Sequence, residues 1–233
     1  MIYFGFFFNF DCQTLVMGSL TEENYIKTIF ALAQNTGEVF VSDLAKKLSV
    51  KQPTINSMVK KLAAKKMVSY APYQGIKLTE KGKREALIII RKHRLAELFL
   101  VKVLGLGWEE VHTIAEELEH VNSKRFYQRI DELLNYPKVD PHGEPIPDEN
   151  GRMINKKRIS LNEVVEGGSA RIVTVTDDEK SFLDHLNTKG LQIGDTVVLK
   201  KRESYDGSIL ILNKKKTEQT LSHQVAERIL VEY

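Results

Sequence analysis

Residues 42–66 read SDLAKKLSVKQPTINSMVKKLAAKK. Ser42-Asp43-Leu44 has the form of a helix start, and the short run behind it ends in a turn at Val50-Lys51-Gln52. Pro53 then falls in the first turn of a further helix, where its missing N–H costs nothing. On that helix Ile55, Met58, Val59 and Leu62 recur at helical spacing and make a buried face. Thr54, Asn56, Ser57, Lys60 and Lys61 fall on the exposed side. Two short helices meeting at a tight turn, the second opening with short polar side chains, form a helix-turn-helix pattern.

The flanks extend it. Upstream, residues 20–33, LTEENYIKTIFALA, start with Thr21 as N-cap and carry Tyr25, Ile26, Ile29, Phe30, Leu32 and Ala33 at helical spacing, followed by a short extended piece at 38–41. Downstream, residues 67–73 and 76–79 flank Gln74-Gly75 as a β-hairpin. Helix, helix, turn, helix, hairpin is the order of a winged helix-turn-helix. Between residues 41 and 84, eleven Lys/Arg stand against two acids. The DNA-facing set read from this pattern is Lys51, Gln52, Pro53, Thr54, Asn56, Ser57, Lys60 and Lys61. Its short polar side chains can reach base edges, and its lysines can neutralise phosphates. The competing reading is a merely soluble lysine-rich helix, or a protein-docking module of the same shape.

Residues 80–105 read as one long helix, apolar on most sides (Leu87, Ile88, Ile89, Ile90, Leu95, Leu98, Phe99, Leu100, Val101, Val103, Leu104). Such a helix needs two neighbours, and a second copy of the chain is the expected one. Residues 111–121, VHTIAEELEHV, then place His112, Glu116, Glu119 and His120 within an arc of about 100° if the stretch is helical. Like charges three or four residues apart repel, and a divalent cation would turn that repulsion into binding. Imidazole with carboxylate suits Mn, Fe, Co or Zn. A solvated acidic face is the alternative, and a second stretch weighs against it: in residues 91–97, RKHRLAE, His93 and Glu97 lie four apart on one face. Residues 109–120 hold five Glu and no Lys or Arg, so the basic patch and the acidic stripe imply partners of opposite sign.

At 233 residues, with 42% hydrophobic and 28% charged residues and a net charge of +3, the chain has room for two or three small domains. The one cysteine, Cys12, excludes an internal disulfide framework and any thiolate cluster, which fits a reducing, cytoplasmic setting. Residues 1–16 are too short an apolar run for a membrane span and lack the basic leader of a signal peptide; they read as an unstructured extension. Residues 135–151, rich in Pro, Gly and Asp, read as linker. Short alternating runs at 170–176, 196–201, 208–212 and 219–222, with a helix over 178–190, point to a small β-barrel. His185, Asp178, Glu179 and Asp184 read as surface residues of it, with a place in a metal site as the minority alternative. The domain reading is 17–80 winged helix-turn-helix, 81–140 helical dimerisation and metal binding, 141–158 linker and 159–233 barrel: mainly α with a β part.

With a winged helix, RKHRLAE, HTIAEELEHV and HGEPIP (residues 142–147) in that order, the chain resembles the diphtheria toxin repressor and manganese transport regulator family over residues 20–233, including the FeoA-like carboxy-terminal barrel of its longer members. That resemblance implies a dimeric DNA-binding repressor activated by Mn(II) or Fe(II), reading a palindromic operator and repressing metal-uptake genes. It implies a primary metal site at Glu116, Glu119 and His120 with Asn24 as amino-terminal ligand. It implies a second site at His93, Glu97 and His112, sometimes completed from the barrel. Iron sensors have cysteine at the Glu116 position and methionine at the Asn24 position, whereas manganese sensors have glutamate and aspartate. Glu116 is of the manganese type, Asn24 matches neither, and Lys27 stands where a manganese sensor supplies a further Glu, which argues against a tight two-metal cluster. The alternatives are a metalloenzyme using the same His/Glu clusters, against which no nucleophile loop or phosphate cradle is present, and a winged-helix regulator without a metal response.

Overall fold

A computed structural model describes residues 20–233 apart from residues 38, 72, 73 and 155, with the side chains of 35 and 36 left aside. The readings made on residues 1–16, on Glu38 and on Tyr73 lie outside the described residues. Helix α1 (Leu20–Thr36) already includes Thr21, which therefore sits inside the first turn and does not cap it. Helix α2 (Val41–Leu48) is closed by Ser49 in the left-handed conformation, φ 55°, and α3 (Gln52–Ala64) starts at Lys51 with Pro53 in its first turn. Tyr25, Ile29, Leu44, Ile55, Val59 and Leu62 bury between the three helices, while Met58 is only partly covered. Strands β1 (Val68–Ser69) and β2 (Lys77–Leu78) pair antiparallel as the wing. Val39 joins them by a bridge to Ile76, so the extended piece before α2 adds to the hairpin.

Helix α4 (Glu80–Lys102) springs directly from the wing. Thr79 Oγ1 accepts the Gly82 N–H, and a Cβ on Gly82 would stand 2.0 Å from the Met67 carbonyl oxygen, so this turn presses on backbone. Helices α5 (Val111–Leu118) and α6 (Lys124–Leu133) pack on opposite flanks of α4. Ala96 and Leu100 meet Val111 and Ala115 of α5; Leu95 and Leu98 meet Tyr127 and Ile130 of α6. The stretch read as one helix over 111–121 ends at Leu118, and Glu119 and His120 fall in the turn beyond it. Glu119 still has helical backbone angles, φ −56° and ψ −22°, and its N–H bonds back to the Ala115 carbonyl, while His112 Nε2 lies 3.6 Å from Glu116 Oε1. The segment read as linker is irregular but pinned: Arg91 donates to the Pro147 carbonyl at 2.6 Å and Arg94 to that of Pro145 at 2.5 Å, and Ile146 buries among the α4 and α6 side chains.

The carboxy-terminal part is a six-stranded antiparallel sheet in the order β3-β8-β4-β5-β6-β7. Its strands are β3 (Ile159–Ser160), β4 (Ser169–Val175), β5 (Thr196–Arg202), β6 (Ile209–Leu212), β7 (Glu218–Leu221) and β8 (Ile229–Glu232). Helix α7 (Lys180–Thr188) buries Phe182, Leu183 and Leu186 against the sheet, and the short α8 (His223–Glu227) leads into β8. The first and last strands, which the sequence pattern did not mark, supply one edge strand and a central one. The register slips between Ile172 and Thr174 and again between Leu199 and Lys201, bulges that bend the sheet around its core.

The bulge in β4 receives the segment between α6 and β3. Thr174 Oγ1 and the Val175 N–H both donate to the His142 carbonyl, at 2.8 and 3.1 Å. The next residue, Gly143, has φ +81°, and a Cβ there would lie 1.9 Å from the Val173 carbonyl oxygen. Only glycine fits both demands. Gly143→Ala is expected to lower stability by roughly 1–3 kcal/mol, read as a reduced melting temperature, and to loosen the His142 loop.

Candidate metal centre

Glu97, on the fifth turn of α4, is the buried hub. His93, one turn earlier, presents Nε2 to Glu97 Oε1 at 3.0 Å and Nδ1 to Glu119 Oε2 at 2.6 Å. From α5, His112 Nδ1 lies 3.4 Å from Glu97 Oε1 and 3.1 Å from Asp178, in the loop before α7. From the pinned segment, His142 Nδ1 lies 3.8 Å from Glu97 Oε2. His142 Nε2 is 3.0 Å from the Trp108 carbonyl. That carbonyl can only accept, so Nε2 carries a proton, and Nδ1 is the nitrogen that faces Glu97. Asp140 is buried beside them, 3.4 Å from Arg94, and its Oδ1 accepts the N–H groups of His142 and Glu144.

Two groups of three therefore share Glu97: His93, Glu97 and His112, and Glu97, Asp140 and His142, each offering ligand atoms within 4.8 Å of one another. His112 Nδ1 is shielded from solvent and aligned for a hydrogen bond to neither nearby carboxylate. A buried imidazole nitrogen so placed among carboxylates and imidazoles fits, once unprotonated, a divalent cation with an oxygen and nitrogen donor set. His93, Glu97 and His112 are brought together, the grouping that the family resemblance implied. Asp140 and His142 were missed, and the available signal was a histidine at the head of HGEPIP with Asp140 before it and Glu144 after it. Asp178, read as a surface acid, reaches the cluster from the sheet side.

The other expected set does not converge. Among the described residues Glu116, Glu119 and His120 do not present one ligand atom each within 4.8 Å of one another. Glu119 is fully buried and turns toward His93, whereas Glu116 stays half exposed. His120 Nδ1 pairs with Glu23 at 2.8 Å. Asn24 is exposed on α1, with its carbonyl accepting from Thr28 Oγ1. The Lys27 ammonium lies 2.8 and 2.9 Å from the two oxygens of Glu119. In this arrangement the outer set is unsuited to a dication, because a cation of the chain already faces its acids.

On the basic side, Lys51, Gln52, Pro53, Thr54, Ser57 and Lys60 are exposed along one flank of α3. Two residues of that expected set have internal partners: Asn56, half-buried, accepts from the Tyr70 hydroxyl at 3.1 Å, and Lys61 pairs with buried Glu22 at 2.8 Å. Lys65 meets the same carboxylate at 2.6 Å, so α1 grips the far end of α3.

Comparison with known proteins covers nearly the whole chain. Residues 18–76 match the iron dependent repressor N-terminal DNA binding domain, residues 79–148 the iron dependent repressor metal binding and dimerisation domain, and residues 159–233 the FeoA domain. The iron-dependent repressor IdeR of Mycobacterium leprae is 30% identical over 224 residues, 91% of this chain and 96% of that protein. The HTH-type transcriptional regulator MntR of Bacillus subtilis is 34% identical over 118 residues, 51% of this chain and 82% of that protein. A solved structure described as a manganese-dependent transcriptional repressor complex with manganese superposes with a TM-score of 0.81 at 31% identity, covering 90% of this chain and 98% of its own.

Titration of the inner cluster follows from its geometry. Burial works against a charged His93, but the hydrogen bonds to Glu119 and Glu97 outweigh it and raise its pKa to about 9. His142 is likewise pushed to about 9 by Glu97 against the effect of burial, and His112 is raised, chiefly by Glu97. Burial raises Glu97 itself, yet the three histidines carry it well below the usual carboxylate range. Burial, then Glu97, lift Asp140 to about 7. Histidines that hold protons more tightly when folded stabilise fully below about pH 6.5, and that stabilisation fades as pH rises through about 9. Chelator-treated protein should accordingly melt at lower temperature at pH 9 than at pH 6.5. Mn(II), which needs unprotonated imidazoles, should raise the melting temperature more at the upper pH than at the lower; thermal scans at both values check this.

Proposed function

The chain belongs to the iron-dependent repressor family, a family of metal-dependent DNA-binding transcriptional repressors and not of enzymes, and on that premise we propose that it senses Mn(II) or Fe(II) and, when loaded, binds a palindromic operator as a dimer and represses metal-uptake genes. The observation that carries the reading is the buried cluster around Glu97, joined through His93 and Glu119 to α1 of the DNA-reading unit. We assign the sensing ligands to His93, Glu97 and His112, with Asp140 and His142 on the second side of Glu97. A divalent ion would supply there the positive charge that the three histidines now supply as protons. Among these side chains there is no sulfur to favour copper or zinc over harder ions.

The residues of the chain set how loading reaches DNA. Glu119 accepts from His93 Nδ1 and so keeps that proton in place while Nε2 faces Glu97. The same carboxylate holds Lys27, and His120 holds Glu23, so both contacts from the end of α5 land on α1. Helix α1 in turn grips α3 through Glu22. Exposed apolar side chains on the helical middle, Val103, Leu104, Ile114 and Leu133, supply a surface for a second copy. Two copies would set two α3 helices at one spacing, the condition for reading a palindrome.

The test is DNA binding to a duplex selected from a randomised pool in the presence of Mn(II), repeated with Fe(II), Co(II), Zn(II) and chelator. Mn(II) or Fe(II) should raise affinity at least tenfold, and Glu97→Gln should abolish that gain; affinity indifferent to chelator would refute the reading. Lys60→Ala should weaken binding to all sequences and lower the slope of log affinity against log salt by about 1, whereas Thr54→Ala should cost about 1–3 kcal/mol on the cognate site only.

A further inference from the structure

The outer pair of acids has a cation of its own. Lys27 emerges from α1 one turn after Glu23, on the same side of the helix. Its ammonium is 2.8 and 2.9 Å from the two oxygens of Glu119 and 3.8 Å from Glu116. Glu119 has no solvent exposure, and Oε2 takes His93 Nδ1 at 2.6 Å in addition to Lys27. Oε1 lies 3.8 Å from His120 Nε2, whose other ring nitrogen is turned to Glu23. Every group facing this carboxylate is thus a donor or cation that the chain itself supplies.

An ion entering between Glu116 and Glu119 would have to expel the ammonium and leave it, only 22% exposed, without its counter-charge. A buried charge deprived of its partner is costly. Asn24 offers no compensation, because its neutral amide is a weaker ligand than a carboxylate and its side chain is exposed. A tethered ammonium also differs from a dissolved ion in kind: no chelator removes it, and no change in metal concentration alters its occupancy.

We propose that Lys27 is the resident cation of the Glu116/Glu119 cradle: it fastens α1, and with it the DNA-reading unit, to the end of α5, and it bars a divalent ion from that position, so that metal control of this chain passes through the Glu97 cluster alone. The second half rests on the metal-sensing reading above; the fastening does not.

Two measurements separate these halves: Mn(II) stoichiometry by equilibrium dialysis, and melting temperature in chelator. Wild type and Lys27→Arg should bind the same number of ions. Lys27→Glu should bind one more per chain, and Lys27→Glu with Glu119→Gln should lose it again. In chelator Lys27→Met should melt several degrees below wild type, with Lys27→Arg between them; this arm stands even if Lys27→Glu fails to fold. Loss of a bound ion in Glu116→Gln would overturn the exclusion of metal from the cradle. A Lys27→Met protein melting with wild type in chelator would overturn the fastening. If Glu97→Gln, which removes the one ligand common to both groups, leaves the wild-type stoichiometry intact, the assignment of metal to the Glu97 cluster fails, while the melting comparison continues to judge Lys27 by itself.

Discussion

A single desolvated carboxylate governs the centre of this molecule. Glu97 is almost wholly buried on α4, and a lone charge at that depth would be severely unfavourable. Three imidazoles from three separate elements gather round it: His93 from its own helix, His112 from α5 and His142 from the segment leading to the sheet. Each of those elements is therefore fixed in position partly by the requirement that Glu97 not be left without a counter-charge. The hydrophobic contacts of α4 with α5 and α6 set the frame; the carboxylate selects one arrangement within it.

From that hub, charges alternate outward. His142, Glu97, His93, Glu119 and Lys27 form a chain of opposite partners that starts in the loop docked on the sheet and ends on the first helix. Helix α1 then serves two neighbours: Glu23 and Lys27 reach α5, and Glu22 reaches Lys61 and Lys65 of α3. Because a desolvated pair loses far more from removal of one partner than an exposed pair does, each link favours the next. The geometry of the DNA-reading flank is in this way tied to a carboxylate several elements away.

How much of this could be read in the residues depends on how local its cause is. Ile55, Val59 and Leu62 carry the helical period, and Pro53 marks the first turn, so the reading unit was plain. His93 with Glu97 was legible because both sit on one helix at fixed spacing. The pairings of Glu119 with Lys27 and of His120 with Glu23 were not legible, because they join the end of α5 to α1 across 92 and 97 positions of the chain. Asp140 and His142 escaped because nothing in an irregular stretch tells which neighbour it folds against; Arg91, Arg94 and the β4 bulge decide that through tertiary contacts. Strand β8 was hidden for a similar reason: four residues after a short helix gain their identity from pairing with β3 and β4.

The loop that carries His142 belongs to two structures at once. One face of it supplies a nitrogen to the hub, and its carbonyl is held by Thr174 and Val175 at the bulge. By reciprocity, whatever effect one attachment has on the strength of the other is returned in equal measure. The carboxy-terminal sheet thereby shares in holding His142 against Glu97, and a peptide or protein gripping that sheet would act on the balance of charges at the hub from outside it.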